Sequence, residues 1–220
     1  MDFTRDIVGF AASLALLAAY HGYLRYRLST DPGYTVQGVN NLVRAAWVEE
    51  IMRRRDGILA VQTLRNSMMA AVFLASTAVL MIIGVLTLSE QGDKLRTAWQ
   101  ALDVFGAADA RLWLTKMLLL LVDLLVAFFS FAMAIRLFHH AGYMINAPQN
   151  EGMVAVDPAH VSVHLNHAGH FYSIGMRAYY YTVPLLLWLF GPHFMFAGTL
   201  ALVISLHYLD RTPRLPGADS

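Results

Sequence analysis

Hydrophobic and polar positions along this chain sort into long blocks. Four stretches stay apolar over the roughly 20 residues a helix needs to cross a bilayer. They are Ile7 to Leu28, Ser67 to Leu88, Leu112 to Phe138 and Val183 to Tyr208. The first carries His21, Arg25 and Arg27 in its last turns. The fourth contains Gly191-Pro192, where proline removes a backbone donor and is expected to kink the helix, as a bundle tolerates. Between the first two blocks, Val39, Leu42, Val43, Ala46, Trp47 and Ile51 recur at helical spacing, with Arg44, Glu49, Glu50 and Arg53 between or beyond them. This predicts an amphipathic helix over Val39 to Met52, lying at the cytoplasmic face or against the bundle. Asp56-Gly57 ends it. A further helix should run from Ile58 through the second span, about 31 residues and about 46 Å, so that part of it projects from the bilayer. Asp157-Pro158, a cap residue followed by proline at the first helical position, opens another helix ahead of the fourth span. The fold class expected is all-α, a polytopic membrane protein with four transmembrane helices plus amphipathic interfacial helices, in one membrane domain over 1–220. The tail 212–220, with Pro213, Pro216 and Gly217, reads as disordered.

Composition supports the class. Hydrophobic residues make up 57% and charged residues 14%, against roughly 25% charged in soluble domains, and the mean hydropathy is +0.49. A net charge of +1 gives no global field for nucleic acid. The absence of cysteine excludes disulfides, thiolate metal sites and cysteine nucleophiles. The opening MDFTRDIVGF lacks the basic region of a cleaved signal, so the first block reads as a retained span. Arg25, Arg27, Arg44, Arg53, Arg54, Arg55 and Arg65 surround the first connection. Lys94, Arg96, Arg111 and Lys116 surround the second, offset by Glu90, Asp93, Asp103 and Asp109. The positive-inside rule then places the first and third connections, with Arg136 and Arg177, in the cytoplasm. Both termini, with Arg5, Arg211 and Arg214, fall outside a bacterial inner membrane.

Several constellations could carry chemistry. Gln62 to Ser67, QTLRNS, runs directly into the second span, setting Arg65 and Asn66 where a helix passes from water to lipid. With Arg136 and Arg177 at the same boundary, these residues could contact a lipid headgroup or another anion, since guanidinium donors suit phosphate and carboxylate. The other reading, and the one the pattern favours, is interfacial anchoring by arginines and tyrosines at headgroup level. Asp123 lies in the middle of the third span, with His193, Ser76 and Thr77 expected at similar depth. It reads either as part of a proton or cation path or as a hydrogen bond between helices. His160, His164, His167 and His170 share one helical face, and His139, His140 and His21 are expected on the same side of the membrane. Such a cluster could bind a transition metal or supply haem ligands, or form a pH-sensitive interfacial helix. There is no nucleophile elbow, phosphate loop or paired-carboxylate pattern, which disfavours an enzyme.

The segment WVEEIMRRRDGILAVQTLRNSMMAAVFLASTA, with FFSFAMAIRL at Phe128 to Leu137 and GMRAYYYTVPLLLWLFGP at Gly175 to Pro192, resembles domain-of-unknown-function family number 599, uncharacterised membrane proteins of bacteria and plants. The resemblance covers most of Asn40 to Asp210. It implies a four-span membrane fold and no activity, and the histidine-rich stretch is not part of the family pattern. Three functions follow as expectations. One is a non-enzymatic accessory or scaffold subunit that forms a homo-oligomer or packs in a larger membrane complex through Ala70, Ala71, Ala75 and Gly84. Another is a metal- or haem-binding protein using the histidines. A third is a small transporter with Asp123 in its pathway. Membrane lipids are the remaining expected partner.

Overall fold

Helix boundaries fall where the local sequence supplies a cap or a break. In the computed structural model, which describes residues 2–31, 33–90, 110–147 and 156–211, the helices are α1 (Asp2–Thr30), α2 (Val36–Arg54), α3 (Gly57–Glu90), α4 (Ala110–Ile145), α5 (Pro158–Leu187) and α6 (Pro192–Leu209). Thr35 caps α2 by accepting from the Gly38 N–H. Arg55, at φ 55°, turns the chain out of α2, and the Asp56 side chain accepts from Leu59 N–H to start α3. Asp157 caps α5, with Pro158 in its first turn.

The stretches Thr4–Thr30, Gly57–Glu90, Arg111–Ile145 and Pro192–Leu209 are long and apolar enough to cross a membrane. α4 is the central element, antiparallel to α3 on one side and to α5 on the other. Along α3, Gly57 meets Asn146 at one end, Ala75 and Ala78 pack with Ala127 and Phe131, and Val85 packs with Met117, Leu120 and Leu124 at the other. Along α5, Ile145 clusters with Val161, Phe131 lies against the Gly175 backbone, Asp123 meets Thr182, and Lys116 meets Trp188. Buried alanines at these seams let the helix backbones approach closely, the usual means of association where lipid replaces water. Of the two placements open to α2, it takes the one against the bundle. Val48, Ile51 and Met52 join Ala60, Leu64, Phe138, Ala141, Ile145, Val161 and Leu165 in one core. The inward face of α2 is not the one its hydrophobic residues suggest, because Leu42 and Val43 are 66% and 58% exposed.

The fourth span expected over Val183 to Tyr208 is not one kinked helix. Pro184 lacks the amide that would bond the preceding turn, and α5 stops at Leu187. The N–H groups of Leu189, Phe190 and Gly191 bond carbonyls three residues back, tightening the chain into a reversal. Gly191 sits at φ 140°, a conformation essentially reserved for glycine, and Pro192 opens α6. The α6 helix then returns along α1, with Pro192 against Gly9 and Leu206 clustered with Tyr20 and Leu24. It finishes beside α2, where the Val36 N–H donates to the Asp210 carbonyl at 3.2 Å. The hairpin of α5 and α6 therefore adds a pass along the bundle. The start of α1 and the end of α6 lie at opposite ends, not on one side as the sequence reading has it.

A buried polar group holds that reversal. Lys116 Nζ lies 3.2 Å from Asp6 Oδ1 and donates to the Trp188 carbonyl at 2.9 Å. Trp188 Nε1 donates to the same Asp6 oxygen at 2.9 Å, and Phe10 stacks on the Trp188 ring. Asp6 is 0% and Lys116 5% exposed. We refer to this as the closed end and to the α2 end as the polar end. Of the described cations, Arg25, Arg27, Arg44, Arg53, Arg54, Arg55, Arg65, Arg136, Arg177 and Arg211 belong to the polar half, against Arg5, Arg111 and Lys116 at the closed end. Lys94, Arg96, Arg214 and the tail 212–220 lie outside the described residues.

Because the chain has no cysteine, single cysteines report topology directly. Thr4→Cys and Arg211→Cys are expected to react with an impermeant maleimide from opposite faces of the membrane; labelling from one face would refute the hairpin. Lys116→Met leaves a buried Asp6 without its ion partner and is expected to cost about 3–5 kcal/mol. The Asp6→Asn, Lys116→Met double variant should recover part of that loss in thermal unfolding in detergent.

Candidate functional site

The polar end contains a cleft of about 750 Å3, within the size range of small-molecule sites. Its floor is α5, from Leu165 to Tyr180. Its walls are α3, through Thr63, Asn66, Ser67 and Ala70, and the end of α6, through Leu206, Leu209 and Asp210. The start of α2 borders it with Val36, Gln37, Asn40 and Arg44. The QTLRNS segment thus divides by helical geometry. Thr63, Asn66, Ser67 and Ala70 are spaced to share one face and line the cleft, Leu64 is buried in the core with one side on the cleft, and Gln62 and Arg65 are exposed and do not line it.

Two arginines line this cleft, and their surroundings differ. Arg177 is paired: Nη2 donates to Asp210 Oδ2 at 3.0 Å, and Nη1 donates to His21 Nε2 at 3.1 Å. The Tyr20 hydroxyl donates to the same Asp210 oxygen, and the Tyr181 hydroxyl, 2.8 Å from His21 Nε2, donates there as well. His21 Nδ1 lies 2.8 Å from the Leu17 carbonyl, which only accepts, so the ring proton sits on Nδ1 and the lone pair at Nε2 receives the other two groups. Arg44 has no acidic partner among the described residues. Its Nη1 donates to Asn41 Oδ1 at 3.1 Å and to Asn166 Oδ1 at 3.0 Å, and Asn166 in turn donates to the Asn41 carbonyl. Partial burial lowers its pKa from the ordinary guanidinium value. By contrast, the exposed Arg53 and Arg54 share Glu50. Gly169 permits the Arg44 placement, because a Cβ there would overlap the guanidinium. Arg44 and Asn41 lie on the same inward face as Val48, Ile51 and Met52, although hydrophobic spacing assigns Arg44 to the polar side of α2.

The anion-contact residues expected from sequence separate accordingly. Asn66 and Arg177 line the cleft, whereas Arg65 and Arg136 are exposed and do not. Neither do Arg136 and Arg177 share one level. Phe131 meets Gly175 across the α4–α5 seam, and in antiparallel helices Arg136 lies beyond that point toward the polar end while Arg177 lies on the other side of it. Their separation along the axis is about 10 Å. Asp123 is half-buried and accepts from Thr182 Oγ1 at 2.8 Å, so it links α4 to α5. His193 is exposed near the start of α6, Ser76 is exposed, and the Thr77 hydroxyl bonds the Phe73 carbonyl.

The histidines share the polar half without converging. His160 and His164 have ring centroids 4.6 Å apart, and His164 Nδ1 is bonded to the His160 carbonyl. His167 and His170 are exposed on α5, and His139 and His140 are exposed on α4. His21 belongs to the Arg177 network. Among the described residues, no three His, Asp or Glu side chains form a group able to hold a metal ion. Sequence reasoning missed Arg44, Asn166, Tyr20, Asp210 and the Asp6–Lys116 pair as site or network members. The local signal for Arg44 was the Asn40-Asn41 pair one turn earlier. Its other partner is 122 positions away.

This is an all-helical multi-pass membrane protein with a polar cleft at one end of its bundle. The family model described as "Protein of unknown function, DUF599" matches residues 8–215, and the chain belongs to that family. No curated protein and no solved structure matches it.

With Arg177 and Asp210 only 24% and 20% exposed, their pairing should be measurable. A double-mutant cycle with Arg177→Gln and Asp210→Asn is expected to give a coupling of roughly 0.5–3 kcal/mol in detergent unfolding. Strict additivity would show that the clasp contributes nothing.

Proposed function

We propose that the cleft binds an anionic ligand and that Arg44 is its principal contact. The observation that carries this reading is a half-buried guanidinium, facing a ligand-sized cleft, held by two neutral asparagines instead of a carboxylate. Placing a cation in a partly desolvated position is costly unless a counter-charge arrives. The asparagine clamp orients the arginine without neutralising it. Nη2 and Nε–H have no partner among the described residues and form the planar fork that suits a carboxylate or phosphate. Asn66, Ser67, Thr63 and Ser173 add neutral hydrogen-bonding groups around it. Arg177 lines the same space, but Asp210 already balances its charge.

The excess of arginine at the polar end supports a cytoplasmic orientation for the cleft by the positive-inside rule. In this reading the protein sits in the bacterial inner membrane with the start of α1 outside and the end of α6 in the cytoplasm. Asp123, bonded to Thr182, serves as a contact between helices.

Inorganic phosphate is the probe. At 100-fold above its dissociation constant a ligand stabilises the folded state by about 2.7 kcal/mol. Phosphate is therefore expected to raise the melting temperature of the purified chain in detergent, against chloride at equal ionic strength. Arg44→Gln should abolish the shift and Arg65→Gln should leave it intact. No shift in the wild type, or an equal shift in Arg44→Gln, would overturn the reading.

A further inference from the structure

The walls of the cleft say more about the ligand than its charge. α3 and α6 both rank among the helices long and apolar enough to span a membrane. α3 packs chiefly on α4, and α6 on α1 and α5, so they stand apart as opposite walls above α5. A gap between two membrane helices faces lipid. Ser67, on the α3 wall, is the residue at which the apolar block of that helix begins. Just beyond it Met69 and Phe73 are 63% and 73% exposed, positions a bilayer would cover. Polar lining comes from α2, at Gln37, Asn40 and Arg44, and from the Arg177–Asp210 pair, while Ala70, Met176 and Leu206 give apolar wall. From Gly169, beside Arg44, to Tyr180 the floor runs about 16 Å. The cleft therefore has an unbalanced cation at the Arg44 end and, toward Tyr180, an apolar arm beside the charge-balanced Arg177–Asp210 pair, at the depth where a helix passes from headgroups into hydrocarbon.

Charge narrows the class. Arg177 and Asp210 cancel, leaving Arg44 as the single net charge on the lining. One positive charge matches a phosphodiester, which carries one negative charge. Basic pockets between membrane helices are a recurrent way of holding such headgroups.

We infer that the cleft takes the headgroup of an anionic phospholipid entering sideways between α3 and α6, its phosphodiester on Arg44 and the first part of its chains along Ala70, Met176 and Leu206. This rests on the anion-site reading above and adds to it the apolar half of the ligand. A free phosphate would satisfy Arg44 and leave the apolar arm uncovered; a phospholipid fills both.

The test compares three probes on the full chain in detergent: inorganic phosphate, phosphatidylglycerol and phosphatidylcholine, read by thermal shift and by lipid retained in native mass spectrometry. Phosphatidylglycerol is expected to act at a concentration at least tenfold lower than phosphatidylcholine. Arg44→Gln should erase that preference. Ala70→Trp, a substitution at an exposed position of α3, should obstruct the apolar arm and remove the lipid preference. Gly169→Ala, which crowds the guanidinium from the opposite helix, provides a second route to the same loss should Arg44→Gln fail to fold. If phosphate acts through Arg44 but phosphatidylglycerol is no better than phosphatidylcholine, or Ala70→Trp leaves it unchanged, the lipid inference is wrong and the anion site stands. If neither phosphate nor phosphatidylglycerol depends on Arg44, both readings fall.

Discussion

The geometry of this protein depends on the buried group formed by Asp6, Lys116 and Trp188. Charges withdrawn from water at this depth are costly unless paired and hydrogen-bonded, and here each partner comes from a different element. Asp6 belongs to α1, Lys116 to α4, and Trp188 to the turn between α5 and α6. Together they fix where the chain reverses and which helix α6 follows home. From that point the 18 residues of α6 measure out about 27 Å and deliver Asp210 to Arg177 and Tyr20. The arrangement at the polar end is thus set from the opposite end of the bundle.

That delivery explains why two arginines facing one cleft differ chemically. Arg177 would be a partly buried, unbalanced cation without Asp210, and with it becomes part of a closed network that also fixes the His21 tautomer. Arg44 lies on the face of α2 turned toward α5, where neutral asparagines and a glycine meet it. A guanidinium so placed keeps its charge available. The family segment QTLRNS supplies the facing wall, one helical face of it to the cleft and Leu64 to the core. This gives the segment a packing role and a lining role at once.

The histidines and Asp123 illustrate how spacing along a helix differs from convergence in space. Four histidines on one face of α5 form a row, in which the rings of His160 and His164 lie 4.6 Å apart. Those of α4 point away from the seam, and His21 is held by Arg177 and Tyr181. Asp123 has its hydrogen bond from Thr182, a residue that no pattern around Asp123 announces.

The sequence by itself determined the helical class, the membrane character, the family and most helix boundaries. Each of these is encoded within a few turns: apolar runs long enough for a bilayer, Asp and Thr caps, and Pro-Gly breaks. It also announced the long projecting α3, because Asp56-Gly57 lies well before the apolar block. Only the tertiary structure decided that Gly191-Pro192 reverses the chain, since a kink and a reversal share the same local signal and Trp188 needs Lys116 and Asp6 to fix the choice. Only it decided the inward face of α2, where Arg44 replaces an expected apolar residue because Asn166 and Gly169 lie opposite. It also separated Arg65 and Arg136 from the cleft, a matter of helix rotation and of register across α4. Such facts depend on contacts between residues many tens of positions apart, up to 182 for Asp6 and Trp188, and no periodicity within one helix records them.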